Sequence, residues 1–175
     1  MALVAFLRGV NVGGHRAFRP SVLARELARF EVVNIGAAGT FVIRRPISRA
    51  RLRAELARRL PFATDVMLCE GRELLALAAS DPFRGVAARA EVVRFVSVMA
   101  KSRRGPAIPI SLPREGRWMV RILAREKHLL VGLYRREMKV LRYLGMLDRL
   151  FGVAVTTRNW NTIASVVRVL QDSDP

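Results

Sequence analysis

From Glu31 to Arg44 the chain reads EVVNIGAAGTFVIR, two β-branched apolar runs parted only by Gly36, Ala37, Ala38 and Gly39. Such a pattern is a hairpin, and an amphipathic helical pattern lies on each side of it. Pro20 and Ser21 signal one helix start, with Leu23, Leu27 and Phe30 following at i, i+4, i+7. Pro46 and Ser48 open a second helix, whose stripe is Ile47, Leu52, Leu56 and Leu60 and whose remaining surface is Arg49, Arg51, Arg53, Arg58 and Arg59. A nearly continuous apolar strand, ALVAFLR, precedes the first helix, and another, ATDVMLC, follows the second. A hairpin trapped between two helices and two outer strands leaves few topologies. The order β-α-β-β-α-β predicts a split βαβ, ferredoxin-like unit, with GRELLALAAS as a third helix ended by Asp81 and Pro82.

RGVAARA, from Arg84 to Ala90, reads as the join to a second half. The expected division is therefore a ferredoxin-like subdomain over 1–85 and a second antiparallel α+β subdomain over 86–175, an α+β chain throughout. EVVRFVSVMA predicts a strand. Residues 101–116, with Pro106, Pro109 and Pro113, predict an exposed, mobile loop with little apolar surface to bury. RWMVRILAR and KHLLVGLYRR predict paired strands turning near Glu126. Residues 138–152 carry helical spacing interrupted at Gly145, and VAVTT is a short last strand. Thr157 is then expected to cap a final helix with Ile163, Val166, Val167 and Leu170 on its buried face, ahead of a frayed tail, QDSDP.

No apolar stretch is long enough to span a bilayer, so no membrane partner is expected. The opening MALVAF has no basic residue before it and reads as a strand rather than a signal peptide. A lone cysteine, Cys69, favours a reducing, cytoplasmic setting. The charge constrains partners more strongly. There are 31 basic and 14 acidic residues, a net of +17, and only Lys101, Lys127 and Lys139 of the basic set are lysines. Arginine meets phosphate bidentately and stacks on bases, so this surface suits nucleic acid or another polyanion. A GC-rich coding sequence would also favour arginine over lysine, but it would not make acids scarce. The net charge is +7 over 1–85 and +10 over 86–175, with no basic tail.

Two stretches could carry chemistry. LRGVNVGGHRAFR, Leu7 to Arg19, places Arg8, Asn11, Gly13, Gly14 and His15 between a strand and a helix, where backbone amides can form an anion nest. It lacks both the P-loop and the dinucleotide pattern, and the glycines serve equally as positive-φ turn residues. Arg8, closing an apolar strand, is expected to be buried and paired. TTRNWNT puts Thr157, Arg158, Asn159 and Trp160 at a helix entrance, a donor cluster beside a flat ring; the same residues fit a cap with a core tryptophan. Together the two stretches would make one anion-accepting pocket. Two histidines and one cysteine exclude a His/Cys metal cluster of usual spacing, no cofactor motif is present, and Cys69 beside Glu70 does not favour a thiolate.

The opening LRGVNVGG, the helix-closing DPF at Asp81 to Phe83 and TTRNWNT together resemble the domain of unknown function 1697 family of small bacterial proteins. The resemblance implies a ferredoxin-like first subdomain and a second α+β subdomain, and it implies no activity. Many members carry Gln-Ser-Gly-Asn in the hairpin turn; here Ala37, Ala38, Gly39 and Thr40 stand there, which removes most of the polar groups. Three functions remain open: a binding protein for nucleic acid or another phosphate-bearing anion, an enzyme or sensor for a small anionic metabolite, and an interaction module without a ligand.

Overall fold

The computed structural model describes residues 1–172. The chain forms two compact units, Met1–Ala79 with the chain from Thr162 onward, and Ser80–Asn161.

The first unit holds β1 (Leu3–Leu7), α1 (Pro20–Glu26), β2 (Val32–Ile35), β3 (Thr40–Ile43), α2 (Arg49–Arg59), β4 (Val66–Glu70) and α3 (Gly71–Ala79). Its sheet runs β2-β3-β1-β4 with every pair antiparallel. That is the ferredoxin-like order anticipated from the trapped hairpin. All five residues of β1 are buried, which explains its unbroken apolar run: a central strand has no wet face to mark with polar residues. Leu3, Ala5 and Leu7 share a core with Phe41, Ile43 and Leu68 from the sheet, Leu23 and Leu27 from the first helical stretch, and Leu52 and Leu56 from α2. Gly39 in the hairpin is sterically required, since a Cβ there would lie 2.8 Å from both Leu7 Cβ and Val10 Cγ2.

The second unit holds β5 (Val92–Met99), β6 (Ile110–Leu112), β7 (Val120–Glu126), β8 (Leu129–Arg135), α4 (Val140–Leu144), α5 (Leu147–Phe151) and β9 (Val155–Asn159). Its sheet runs β6-β7-β8-β5-β9, again antiparallel. Phe95, Ile122, Leu130, Val140, Leu147 and Phe151 are among its core residues. The expected helix over 138–152 forms as two short pieces, α4 and α5, parted at Gly145 and Met146. Residues 101–116 are not wholly an exposed loop. Ile110 and Leu112 are buried in β6, and Gly105 lies so close to Phe151 that a Cβ would come within 2.4 Å of the ring. The prolines at 109 and 113 flank β6 instead of interrupting it, so the apolar alternation at 108, 110 and 112 survives.

The division between units falls at 79/80 and 161/162 rather than at 85/86. Phe83 is buried against Trp160 with ring centres 5.2 Å apart, which holds residues 80–85 in the second unit. The last helix, α6 (Trp160–Gln171), brings Leu170 against Gly71 of α3 and the Val169 carbonyl to Arg44, which ties its length to the first. Gln171 ends that helix, and 173–175 of the expected tail lie outside the described residues.

One buried carboxylate stands out. Glu55, on α2, is 5% exposed and takes hydrogen bonds or ion pairs from Arg29, Arg58 and Arg59. Burial by itself would raise its pKa, but hydrogen bonds from Arg58 and Arg59 and the charges of Arg29 and Arg58 hold it below the ordinary value of 4.5. A carboxylate with a depressed folded pKa stabilises fully above its unfolded pKa and loses that contribution as pH falls through the folded value. Glu55→Gln is therefore expected to lower the melting temperature at pH 7 and to flatten its decline below about pH 4.5, measured by thermal melts across pH.

Candidate functional site: an arginine-lined cleft

The glycine loop belongs to the first unit. Asn11 has φ +54° and is fully engaged: its Nδ2 donates to the Ala37 carbonyl at 2.8 Å, and its Oδ1 accepts from the Phe18 amide at 2.9 Å. Gly13 and Gly14 take φ +56° and +76° in the turn that brings the His15 amide to the Val12 carbonyl, with His15 exposed. Arg8 is paired as expected, with Asp65 at 3.4 Å, but it is not largely buried: its side chain is 38% exposed and that of Asp65 61%. It is the first residue past β1, so its head reaches water at the end of the sheet. Asn11→Ala removes two hydrogen bonds and puts a Cβ residue of poor positive-φ tolerance in the turn. It is expected to cost about 1–2 kcal/mol of unfolding free energy in urea titrations.

The second stretch departs from its expected local structure. Thr157 is not a helix cap, and Arg158 and Asn159 are not in a first helical turn: all three are strand residues of β9, and α6 begins directly at Trp160. Strand alternation then sorts them by face. Thr157 lies opposite Ser97, their hydroxyls 2.6 Å apart. Arg158 shares the other face with Thr156 and is the buried arginine of this region, 7% exposed, with Nη1 donating to Thr156 Oγ1 and to the Thr157 carbonyl at 2.9 Å each. Desolvation lowers its pKa to about 10. A guanidinium engaged in this way supports β9. Arg158→Ala is expected to cost about 2 kcal/mol through the void it leaves, or roughly 4–8 °C in melting temperature for a chain of this size, read by thermal melts.

A cleft opens in the second unit where β9 stops. The last β5–β9 pair is Phe95 with Asn159, so Val92, Val93 and Arg94 continue β5 without a β9 neighbour. The space left is about 230 Å³, lined by Arg89, Arg94, Tyr134, Arg136, Asn159 and Trp160 among others. Arg94 is held by Nη2 donation to the Val86 carbonyl at 2.6 Å and lies 5.5 Å over the Phe83 ring, whose other neighbour is Trp160. Arg136 donates through Nε to the Ala90 carbonyl at 2.9 Å, which fixes its stem beside the exposed Arg89. Tyr134 is half buried against Phe95; desolvation raises its pKa, with the Arg136 charge opposing. Among the described residues no carboxylate forms an ion pair with Arg89, Arg94 or Arg136. The second unit carries 17 basic and 6 acidic residues, +11, against +6 for the first.

Of the residues singled out in the sequence, the cleft gathers Asn159 and Trp160. It adds Arg89, Arg94, Tyr134 and Arg136, which sequence reasoning left unmarked. Arg89 sits in a run of alanines that reads as a linker, and Arg94 looks like the solvent position of a strand. Only the strand register brings them together.

The chain is thus an α+β protein of two antiparallel sheets, one ferredoxin-like, whose second sheet carries a basic cleft. It belongs to the family described as Protein of unknown function (DUF1697), which matches residues 1–111. DPF lies within the matched residues and TTRNWNT beyond them, and the two stretches meet at the Phe83–Trp160 contact. No curated protein matches the chain. Among solved structures, it is similar to the conserved bacterial protein SP0830 from Streptococcus pneumoniae, at 14% identity over 97% of this chain and 98% of that one, with a TM-score of 0.58. That likeness is one of fold. No helix among the described residues is long and apolar enough to cross a membrane.

Proposed function

We propose that this protein binds a phosphate-bearing anion, nucleic acid or a phosphorylated small molecule, in the cleft of its second unit. One observation carries the reading: Arg89, Arg94 and Arg136 converge on a concave site with no carboxylate paired to them among the described residues. Two of them are oriented by backbone carbonyls, Val86 for Arg94 and Ala90 for Arg136. Guanidinium groups fixed in this way lose little freedom on meeting phosphate and can engage it bidentately. Trp160 and Tyr134 add flat apolar surface beside the charge. The exposed Gly13, Gly14 and His15 of the first unit are not needed for it.

The chemistry of the cleft favours holding a ligand over transforming one. Tyr134 titrates above its ordinary value, so it is no base near neutrality. Cys69 lies buried in the first unit, its thiol pushed up by desolvation.

Titration calorimetry with uridine monophosphate and with inorganic tripolyphosphate tests the reading. Saturable binding is expected, weakened at least tenfold in Arg89→Gln/Arg136→Gln, with the melting temperature nearly unchanged because both heads are exposed. Arg103→Gln/Arg114→Gln, an equal charge loss outside the cleft, should bind as the parent does. Equal weakening in both double variants would reduce the effect to net charge and remove the site.

A further inference from the structure

We infer that the ligand is a single-stranded nucleic acid, lying across the sheet face of the second unit from the cleft to Trp118. This rests on the anion-binding reading of the cleft and extends it to a track.

Register places Arg94 opposite Leu133, Leu133 opposite Arg121, and Arg121 opposite Ser111. Directly paired residues share a face, so β5, β8, β7 and β6 present one row, Arg94-Leu133-Arg121-Ser111. The 3.2 Å hydrogen bond from Arg121 Nε to Ser111 Oγ fits that placement. Arg135, two residues after Leu133, joins the same face. Ile122, Gly132 and Phe95 form the adjacent row on the core side, where Phe95 leaves no room for a Cβ on Gly132. The row is continuous with the cleft, because Arg94 and Leu133 line both. From Arg94 to Arg121 is two strand spacings, about 10 Å.

At the far end, the Arg121 and Arg135 guanidinium carbons lie 4.6 Å and 4.3 Å from the centre of the half-buried Trp118 ring. Arg135 is fixed further by Nε donation to the Trp118 carbonyl at 2.8 Å. Among the described residues neither arginine has a carboxylate in ion-pair contact. The face therefore carries three arginines without a carboxylate in ion-pair contact among the described residues, Arg94, Arg121 and Arg135, two of them held over an indole, and it runs into a cleft that adds Arg89, Arg136 and a second indole. Guanidinium planes and aromatic rings stack unpaired bases, and spaced positive charge follows a phosphate backbone. A protein partner would need apolar anchors. The exposed large apolar side chains, Met1, Val12, Met138 and Leu141, are on none of these strands.

The test uses the full chain and a fluorescein-labelled oligouridylate of about 12 nucleotides, within the site sizes of about 4–16 usual for such surfaces. Anisotropy should show it binding at least tenfold tighter than uridine monophosphate competes. Arg121→Gln/Arg135→Gln should weaken the oligomer at least tenfold, lower the magnitude of its log affinity–log salt slope by roughly 0.7 per charge removed, and leave monophosphate binding unchanged. Trp118→Phe should retain most of the oligomer affinity and Trp118→Ala should lose it; if the alanine variant does not fold, ultraviolet crosslinking of the parent to oligouridylate should map to residues 117–136. An oligomer bound no tighter than the monophosphate overturns the track and spares the cleft, and absence of binding by both overturns the cleft reading as well. Competition by heparin or anionic vesicles as strong as by unlabelled oligomer would mark a generic cationic surface and overturn the inference.

Discussion

Carboxylate is the limiting reagent of this fold. With 14 acidic residues for 31 basic ones, most guanidinium groups cannot be neutralised internally, and where the few acids stand decides which arginines become structural. In the first unit they are used intensively. Glu55 serves three arginines, Glu70 serves Arg49 and Arg72, Glu31 serves Arg45 and Asp65 serves Arg8. In the second unit the ion pairs include Arg84–Asp81 and Arg117–Glu137, while the arginines of the cleft and sheet face turn to backbone carbonyls and aromatic rings. Carbonyls and rings hold a guanidinium in place without cancelling its charge. The same residue type is therefore ion-paired across much of the first unit and held without a carboxylate, among the described residues, on the cleft and sheet face of the second.

Topology was legible from residue order because local rules sufficed. A short glycine turn between two amphipathic helices permits little else, and the continuous apolar run of β1 announced a strand covered on both faces. Element ends were less legible. TTRNWNT reads as a helix entrance from its threonine and asparagine, yet pairing with β5 keeps Thr157, Arg158 and Asn159 extended, so tertiary hydrogen bonding overrides capping preference. β6 was hidden by its flanking prolines. The cleft was hidden for a different reason: its arginines come from a linker, a strand start and a strand end, and nothing in one dimension says that β9 stops three residues short of the start of β5.

Arg8 and Arg158 show how exposure, not residue type, sorts function from scaffold. Arg8 closes an apolar run and Arg158 stands among threonines and asparagines, and either could have been the buried cation. Arg8 falls one residue beyond β1 and meets a surface carboxylate. Arg158 falls inside β9, on the face it shares with Thr156, where it is almost wholly buried. Burying it carries a desolvation cost visible in its lowered pKa. A chain with so many arginines to spare has no electrostatic reason to bury one, so its place is best understood through the strand it braces.

The hairpin turn, whose Ala37 and Ala38 carry no polar side chain, is explained by the same separation of backbone from side-chain roles. Polar side chains at 37 and 38 would matter if they held the glycine loop. Asn11 instead reaches the Ala37 carbonyl, an acceptor every residue supplies. Gly39 is the position of that turn that cannot vary, because Leu7 and Val10 occupy the space of its Cβ. The loop and the hairpin are thus joined without a polar side chain at 37 or 38. In the second unit the side chains themselves carry the contact: Phe83 and Trp160 meet ring to ring and form the wall behind Arg94.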